Sequence, residues 1–280
     1  MARVEQYVDS QVAVITLCDG EHGNLLGPES LNELAAAIIR SQGDQAVRAV
    51  LLRSNGPSFC LGMDLGLLAT AAPPHALEAA RGAVSLYADV LHKIFSSSLP
   101  FVCLLEGDVK AGGVGLACVC DIILATPRVT FEMAEVLFGL IPANVLPYLL
   151  RLRVPVQKVR YLVMSSKKLS AEEALRLNLV DELVPVCESE KRVREVLKRL
   201  LRSKPGALAD VKAFTFELMG KPLLEAEATA QQMLLNMLND QSVSAGIRAF
   251  LEGGLPSWFA RFEPKFPLAL GATKPQETEG

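Results

Sequence analysis

A cluster of glycines in the middle of the chain constrains the fold more than any other feature. The segment VKAGGVGLACVCD follows an apolar run and contains three glycines within four positions, Gly112, Gly113 and Gly115. The pattern predicts a buried strand over Phe101–Glu106, then a short glycine-rich helix, then another strand over Asp121–Thr126. Strands and helices that alternate in this way are typical of an α/β fold.

The rest of the chain continues the alternation and then becomes helical. Further strands are predicted at Gln11–Leu17, Ala49–Arg53 and Val180–Pro185. Helices are predicted from Pro28, from the APPH segment to about Ser98, over Tyr148–Val163, and after a capping box at Ser170 and Glu173. From Lys191 to about Phe250 the pattern is helical, with breaks at KPG and GKP. We expect a core over residues 1–200 and a helical oligomerisation region over residues 201–280, with a disordered tail.

Composition excludes several classes of protein. Half of the residues are hydrophobic and 21% are charged, which is typical of a globular protein. No apolar run reaches the roughly 18 residues of a membrane span, and the formal net charge of −3 disfavours a nucleic-acid partner. The six cysteines contain no CxxC pair and the three histidines form no metal-binding spacing. We therefore expect free thiols, no metal and a cytoplasmic location.

The glycine segment allows three interpretations. Residues 113–118 approximate the GxGxxG of dinucleotide-binding proteins, but the next strand begins too soon for the crossover helix of that fold. Alternatively, the free N–H groups at the start of the helix could form an oxyanion hole, because glycine lets a substrate carbonyl approach the backbone closely. A third possibility is that the glycines only permit tight packing between helix and sheet. Spacing alone leaves the second and third interpretations open.

Three segments together resemble the crotonase superfamily, the enoyl-CoA hydratases and isomerases. They are PSFCLGMDL at Pro57–Leu65, the glycine segment, and FEMAEVLFGLIPANVLPYLLR followed by LSAEEALRLNLVDELVP. The resemblance implies a crotonase fold, which is a spiral of ββα units with a helical C-terminal trimerisation region. It also implies that the backbone N–H groups of Met63 and Gly112 hold a thioester carbonyl in an oxyanion hole, with Gly113 among the substrate-binding residues.

Only one of the two catalytic glutamates of a crotonase-type hydratase is present in this chain. The first position is Gly115 in this chain, which has no acid or base, and the second is Glu135. The two-glutamate hydration of fatty acyl thioesters is therefore in doubt. Glu135 lies between apolar neighbours, Met133 and Val136 among them, which favours a catalytic role over that of an exposed surface glutamate.

The segments GMDL and AEVLFGLIPANVLPYLL resemble the dehydratases of polyketide β-branching cassettes more narrowly. Those enzymes convert 3-hydroxy-3-methylglutaryl thioester on an acyl carrier protein into 3-methylglutaconyl thioester. The resemblance implies no cofactor beyond the phosphopantetheine that carries the substrate, on a carrier protein or on coenzyme A. Glu135 would take the α-proton and return it to the leaving hydroxyl, with Asp64 or Asn144 assisting. Either of these two could instead only cap the helix that follows it.

Several charged and apolar residues are candidates for binding. Lys110 and His75 could hold the distal carboxylate of the substrate, although each could equally be an ordinary surface residue. The chain from Glu135 to Glu172 contains six cations and no other acidic residue, which would steer an acidic carrier protein or form a solvated face: Arg151, Arg153, Lys158, Arg160, Lys167 and Lys168. After Pro222 an apolar stripe predicts a subunit interface in a homotrimer or hexamer: Leu224, Met233, Leu234, Met237 and Leu238.

Other functions on the same fold remain open. A decarboxylase of the glutaconyl product needs no base at Glu135, because loss of CO₂ itself generates the enolate. A general enoyl-CoA hydratase or isomerase would use the same thioester site. A non-catalytic scaffold is suggested by the missing glutamate at Gly115 and opposed by the intact oxyanion loops.

Overall fold

Two sheets form the core of the chain. The computed structural model describes residues 3–64, 66 and 75–270, and only the backbone of residues 75–80. Among these residues the larger sheet has six strands, in the order β1 (Val4–Asp9), β2 (Val12–Leu17), β3 (Ala49–Ser54), β5 (Phe101–Leu105), β7 (Ile122–Ala125) and β10 (Glu182–Leu183). The smaller sheet has four short strands, β4 (Ser58–Cys60), β6 (Asp108–Lys110), β8 (Thr130–Glu132) and β9 (Leu169–Ser170).

Each turn of the chain adds one strand to each sheet and then a helix. Strands β3 and β4 precede α2 (His75–Phe95), and β5 and β6 precede α3 (Gly112–Cys118). Strands β7 and β8 precede a 3₁₀ turn at Glu135–Phe138 and α4 (Leu146–Leu152). Strands β2, β3, β5 and β7 pair in parallel in that spatial order. The spiral of ββα units that the resemblance implied is therefore confirmed.

The larger sheet is buried on both faces. Every residue of β2, β3 and β5 is buried. One face packs against α1 (Pro28–Gly43) and α2, and the other packs against α7 (Ser189–Arg202). Burial on both faces explains why these strands are mainly apolar and lack a regular alternation of apolar and polar residues.

The predicted helix over Tyr148–Val163 is two helices. Helix α4 ends at Leu152, and α5 (Val156–Ser165) begins after Pro155, whose missing N–H cannot continue the hydrogen-bond ladder. Helix α6 (Ala171–Arg176) starts at the predicted capping box: Ser170 Oγ accepts from Glu173 N at 3.2 Å, and Glu173 Oε2 accepts from Ser170 N at 3.0 Å. The capping box is confirmed.

Three helices form the C-terminal region. They are α8 (Pro205–Leu218), α9 (Leu223–Leu238) and α10 (Gln241–Leu251). The predicted break at KPG separates α7 from α8 and that at GKP separates α8 from α9, whereas the break between α9 and α10 was not predicted. In α9 no residue is buried: Leu224, Leu234 and Leu238 of the predicted stripe are exposed in the single chain, and its two methionines are half-buried. The predicted disordered tail, residues 271–280, lies outside the described residues. Within the part of the chain that is described, no helix is long and apolar enough to cross a membrane.

A C-terminal strap, residues 263–270, returns to the core and is held by carboxylates. Asp9 Oδ2 accepts from the backbone N–H groups of Lys265 and Phe266 at 2.6 and 3.0 Å. Glu190 Oε2 accepts from those of Leu268 and Ala269 at 2.6 and 2.7 Å. These charge-assisted bonds fix the strap against β1 and α7.

Candidate active site

Two loops from consecutive turns of the spiral meet at the start of α3. Gly62 has φ +95°, and a Cβ placed on it would lie 2.7 Å from Ala111 Cβ and 3.1 Å from Gly112 N. Leu26 N donates to Gly62 O at 2.8 Å, and Asp64 N donates to Leu26 O at 3.1 Å. The intervening N–H of Met63 therefore points away from Leu26, as in any parallel bridge.

Two backbone N–H groups at this junction are free. Among the residues that the structure describes, neither Met63 N nor Gly112 N has a hydrogen-bond acceptor. Gly112 is the first residue of α3, where a helix leaves its N–H groups unpaired. Both N–H groups are available to an oxygen of a bound molecule, as the resemblance to crotonases implied.

The residue before Gly112 is strained. Ala111 has φ +46° and ψ −117°, a conformation that costs about 1–3 kcal/mol for a residue with a side chain. Its N–H donates to Glu132 O at 2.8 Å, and its carbonyl accepts from Val114 N at 3.0 Å. Such strain persists only where the surroundings hold it, and it is concentrated at functional sites.

The three glycines of α3 serve different purposes. A Cβ at Gly113 would overlap the carbonyl oxygen of Cys60 in β4, and one at Gly115 would overlap the hydroxyl of Tyr87. At Gly112 the nearest atom would lie 3.1 Å away, at the flexible end of a leucine. Packing therefore requires Gly113 and Gly115, as the third interpretation of the segment proposed, whereas Gly112 carries the free N–H.

Glu135 is the candidate base. It is the first residue of the 3₁₀ turn, half-buried, and its Oε2 atom is buried with no hydrogen-bond partner among the described residues. Desolvation raises the pKa of Glu135 above its ordinary value. A carboxyl with a raised pKa and an unsatisfied oxygen is typical of a general base or acid.

Tyr87 was not predicted from the sequence. It lies on the buried face of α2, and its hydroxyl donates to Gly112 O at 2.6 Å. Burial raises the pKa of Tyr87 well above its usual value, and the nearby groups Cys118, Cys60 and Glu135 raise it further. Its helical spacing from Val90, Leu91 and Ile94 made it indistinguishable from an ordinary core aromatic residue.

Asp64 and Asn144 each make a hydrogen bond near the site. Asp64 Oδ1 accepts from Gly66 N at 3.0 Å, and most of the segment that Asp64 was predicted to cap lies outside the described residues. Asn144 Nδ2 donates to the backbone oxygen of Val84 in α2 at 3.1 Å. The start of α4 has no side-chain cap, so the capping interpretation of Asn144 is wrong. The amide instead ties the segment after Glu135 to α2, one turn from Tyr87.

Of the two candidate cations for a distal carboxylate, the structure describes the side chain of Lys110 but not that of His75. Lys110 Nζ lies 3.0 Å from Glu132 Oε2 on the neighbouring strand, and both side chains are partly exposed. Its charge is therefore balanced in the free protein. His75 is the first residue of α2, and its side chain lies outside the described residues.

The basic segment after the site is only partly paired. Arg153 is largely buried and bonds Asp181 at 2.9 Å, and Lys167 bonds Glu173 at 2.6 Å. The other four cations are exposed and form no ion pair within the described part of the chain: Arg151, Lys158, Arg160 and Lys168. Across the described ranges no group of His, Cys, Asp and Glu is arranged to hold a metal ion.

The ββα spiral, the two free N–H groups and the half-buried carboxyl define the class of crotonase-fold enzymes. The chain belongs to the enoyl-CoA hydratase/isomerase family, whose model matches residues 8–261. A probable enoyl-CoA hydratase of Rhodobacter capsulatus is 30% identical over 91% of this chain and 96% of its own length. The bacillaene synthase dehydratase PksH of Bacillus subtilis is 29% identical over 89% and 93%. Among solved structures, AtuE of Pseudomonas aeruginosa is 29% identical, covers 91% of this chain and 99% of its own, and has a TM-score of 0.82.

Proposed function

We propose that the protein removes water from 3-hydroxy-3-methylglutaryl thioester on an acyl carrier protein to give 3-methylglutaconyl thioester, a step of polyketide β-branching. The observation that carries the proposal is the single carboxyl: Glu135 is half-buried with an unpartnered oxygen, while packing leaves no room for a side chain at Gly115. The likeness to a dehydratase of bacillaene synthase supports the same conclusion.

The proposed reaction begins with the oxyanion hole. The thioester oxygen accepts from the N–H groups of Met63 and Gly112, so negative charge on that oxygen is stabilised as it develops. The Glu135 carboxylate then takes the α-proton, and the electrons of that C–H bond form the thioester enolate. One such donor contributes about 10²–10³ in rate, which is why an enolate of a weakly acidic thioester becomes accessible.

Glu135 completes the reaction as an acid. The enolate collapses to a double bond between the α- and β-carbons, and the bond from the β-carbon to its hydroxyl breaks. The hydroxyl takes the proton that Glu135 received and leaves as water, which returns Glu135 to its carboxylate. One group can serve both steps only if the α-proton and the hydroxyl leave from the same face. Asp64 and Asn144 assist by holding the hydroxyl and the segment around Glu135.

The substrate is held at its other end by cations. Lys110 and His75 bind the distal carboxylate, with Lys110 exchanging its partner Glu132 for the substrate. No cofactor enters the reaction, since the phosphopantetheine arm only carries the acyl group. Reversing the charge of Lys110 should raise KM for the substrate, which carries a distal carboxylate. A thioester without a distal carboxylate should be unaffected.

The proposed partner is the carrier protein itself. The four cations without an ion pair, Arg151, Lys158, Arg160 and Lys168, are each exposed on or near α5, close in sequence to Glu135. A carrier with an acidic helix would be steered to it. Substituting Arg160 by Glu should lower kcat/KM for carrier-bound substrate and leave the coenzyme A thioester unchanged. Equal losses for both thioesters would contradict docking at this surface.

The direct test is to incubate the protein with 3-hydroxy-3-methylglutaryl carrier protein and weigh the product by mass spectrometry. Loss of the mass of one water is expected, and Glu135→Gln should slow it by at least about 10²-fold. Glu21 provides a control, because Glu21→Gln removes a carboxylate of the same type from the exposed side of the turn at Gly20–His22. Release of CO₂ from the glutaconyl thioester would instead identify a decarboxylase.

A general enoyl-CoA hydratase is the second candidate, favoured by the relative in Rhodobacter capsulatus. It would hydrate crotonyl-CoA faster than it dehydrates the branched carrier-bound substrate. No turnover of either compound would leave a non-catalytic scaffold.

A further inference from the structure

Tyr87 and Gly115 form one interlocked pair. The Tyr87 hydroxyl occupies the space that a Cβ at position 115 would take, and Val145 Cγ2 closes it from another side, 2.9 Å from that Cβ position. The absence of a side chain at Gly115 and the buried position of Tyr87 are therefore linked by packing. A side chain at 115 and the present position of Tyr87 exclude each other.

The hydroxyl of Tyr87 acts as a neutral donor. It is fully surrounded, with 4% of the residue exposed, and it donates to Gly112 O at 2.6 Å. Burial raises its pKa well above the usual value, and Glu135 lies near enough to raise it further. The phenol therefore keeps its proton across the pH range of the protein and cannot serve as a base.

The hydrogen bond from Tyr87 to Gly112 O lies next to the peptide group whose N–H would bind the thioester oxygen. The N–H of Gly112 belongs to the peptide group that joins it to Ala111, whose φ of +46° is strained. Glu132 O holds that region on one side through Ala111 N at 2.8 Å, and Tyr87 holds it on the other through Gly112 O. The direction of the free N–H is thus fixed by anchors on both sides of it.

We infer that Tyr87 is a positioning residue that aims the Gly112 N–H at the thioester oxygen and, by filling the space over Gly115, leaves Glu135 as the one acid–base group. The inference rests on the proposed function for the identity of the bound oxygen. Tyr87 acts through Gly112 and takes no part in proton transfer.

The test uses the carbonyl stretch of a bound thioester. Butyryl-pantetheine labelled at the carbonyl carbon has no β-hydroxyl, so it reports polarisation without turnover. The parent protein should lower the carbonyl frequency relative to solution, and Tyr87→Phe should lose part of that shift. Its kcat should fall about 5- to 10-fold with KM little changed, because one neutral hydrogen bond is lost. Tyr7→Phe is the matched control, since Tyr7 also donates to a backbone carbonyl, at 3.3 Å, but in the C-terminal strap.

A second variant reaches the same hydroxyl from the other side. Gly115→Ala places a methyl group where the Tyr87 hydroxyl now lies, so it should displace the hydroxyl and reduce the frequency shift even if Tyr87→Phe does not fold. An unchanged shift in whichever variant folds overturns the inference. A parent that polarises the carbonyl without dehydrating the branched substrate refutes the proposed reaction and leaves this inference standing. A parent that does not polarise it overturns both.

Discussion

Replacing Glu135 by Gln tests two effects of this carboxyl, its contribution to the rate of dehydration and its cost to the stability of the folded protein. The amide keeps the shape and most hydrogen-bonding capacity of the side chain but cannot accept the α-proton. General base catalysis contributes about 10²–10⁴ in rate, and the proposed mechanism uses Glu135 twice, so kcat should fall by at least about 10²-fold. Binding of a thioester should change little, because the N–H groups of Met63 and Gly112 are untouched.

The same substitution should stabilise the protein at neutral pH. Desolvation raises the pKa of Glu135 in the folded state, so between the unfolded and folded pKa values the native state binds more protons than the unfolded state. Stability therefore falls as the pH rises through that window, and the charged carboxylate remains a cost above it. Removing the charge relieves this cost, so the advantage of the variant should be present at neutral pH and vanish below the ordinary pKa of a glutamate.

Two measurements check this pair of effects. Turnover is followed by mass spectrometry of the carrier-bound product, and unfolding by urea at neutral and at acidic pH. The kcat/KM of the parent should rise with pH through the raised pKa of Glu135. The residual kcat/KM of the variant should not show this rise. A variant that dehydrates at the parent rate refutes the reasoning, and Asp64 becomes the next carboxylate to test.

Three other substitutions test the framework around the site. Gly62→Ala should lower the free energy of unfolding by at least about 1–2 kcal/mol and impair turnover, because φ is +95° there and the new methyl would lie 2.7 Å from Ala111 Cβ. Gly43→Ala, with nothing within 4 Å of the new methyl, should be harmless in urea unfolding. Glu190→Ala should speed hydrogen exchange in the C-terminal strap, since it removes the acceptor of two backbone N–H groups; unchanged exchange would show that the strap is held elsewhere. Leu234→Glu should dissociate the proposed trimer in light scattering, because Leu234 is 58% exposed in the single chain; a parent that is already monomeric would contradict the interface.

Five of the six strands of the larger sheet could be predicted from the sequence, and the smaller sheet could not. Strand β5 is a run of five buried apolar residues and β3 begins with four, which is long enough to be recognised. Strands β4, β6, β8 and β9 have two or three residues each, too few for any periodicity, and β1 was missed because its burial barely alternates. Those short strands position the site, since β4 and β6 carry the chain into its two loops.

Only part of the site could be predicted from the sequence. Glu135 stands out because a lone carboxylate among apolar residues is unusual, and the glycines stand out by their spacing. Which N–H groups are free, however, depends on how the loop at Met63 pairs with Leu26, two segments that are distant in sequence. The bond from Tyr87 to Gly112 spans 25 residues and has no local pattern at all.

The most direct test of a one-carboxylate mechanism is the stereochemistry of water loss. The substrate is prepared in two forms, with deuterium at the α-carbon either on the same face as the departing hydroxyl or on the opposite face. If Glu135 removes the α-proton and then protonates the hydroxyl, the product should lose the deuterium of the first form and retain that of the second. Loss of the label from the opposite face would require an acid and a base on two sides of the substrate, and would contradict the account.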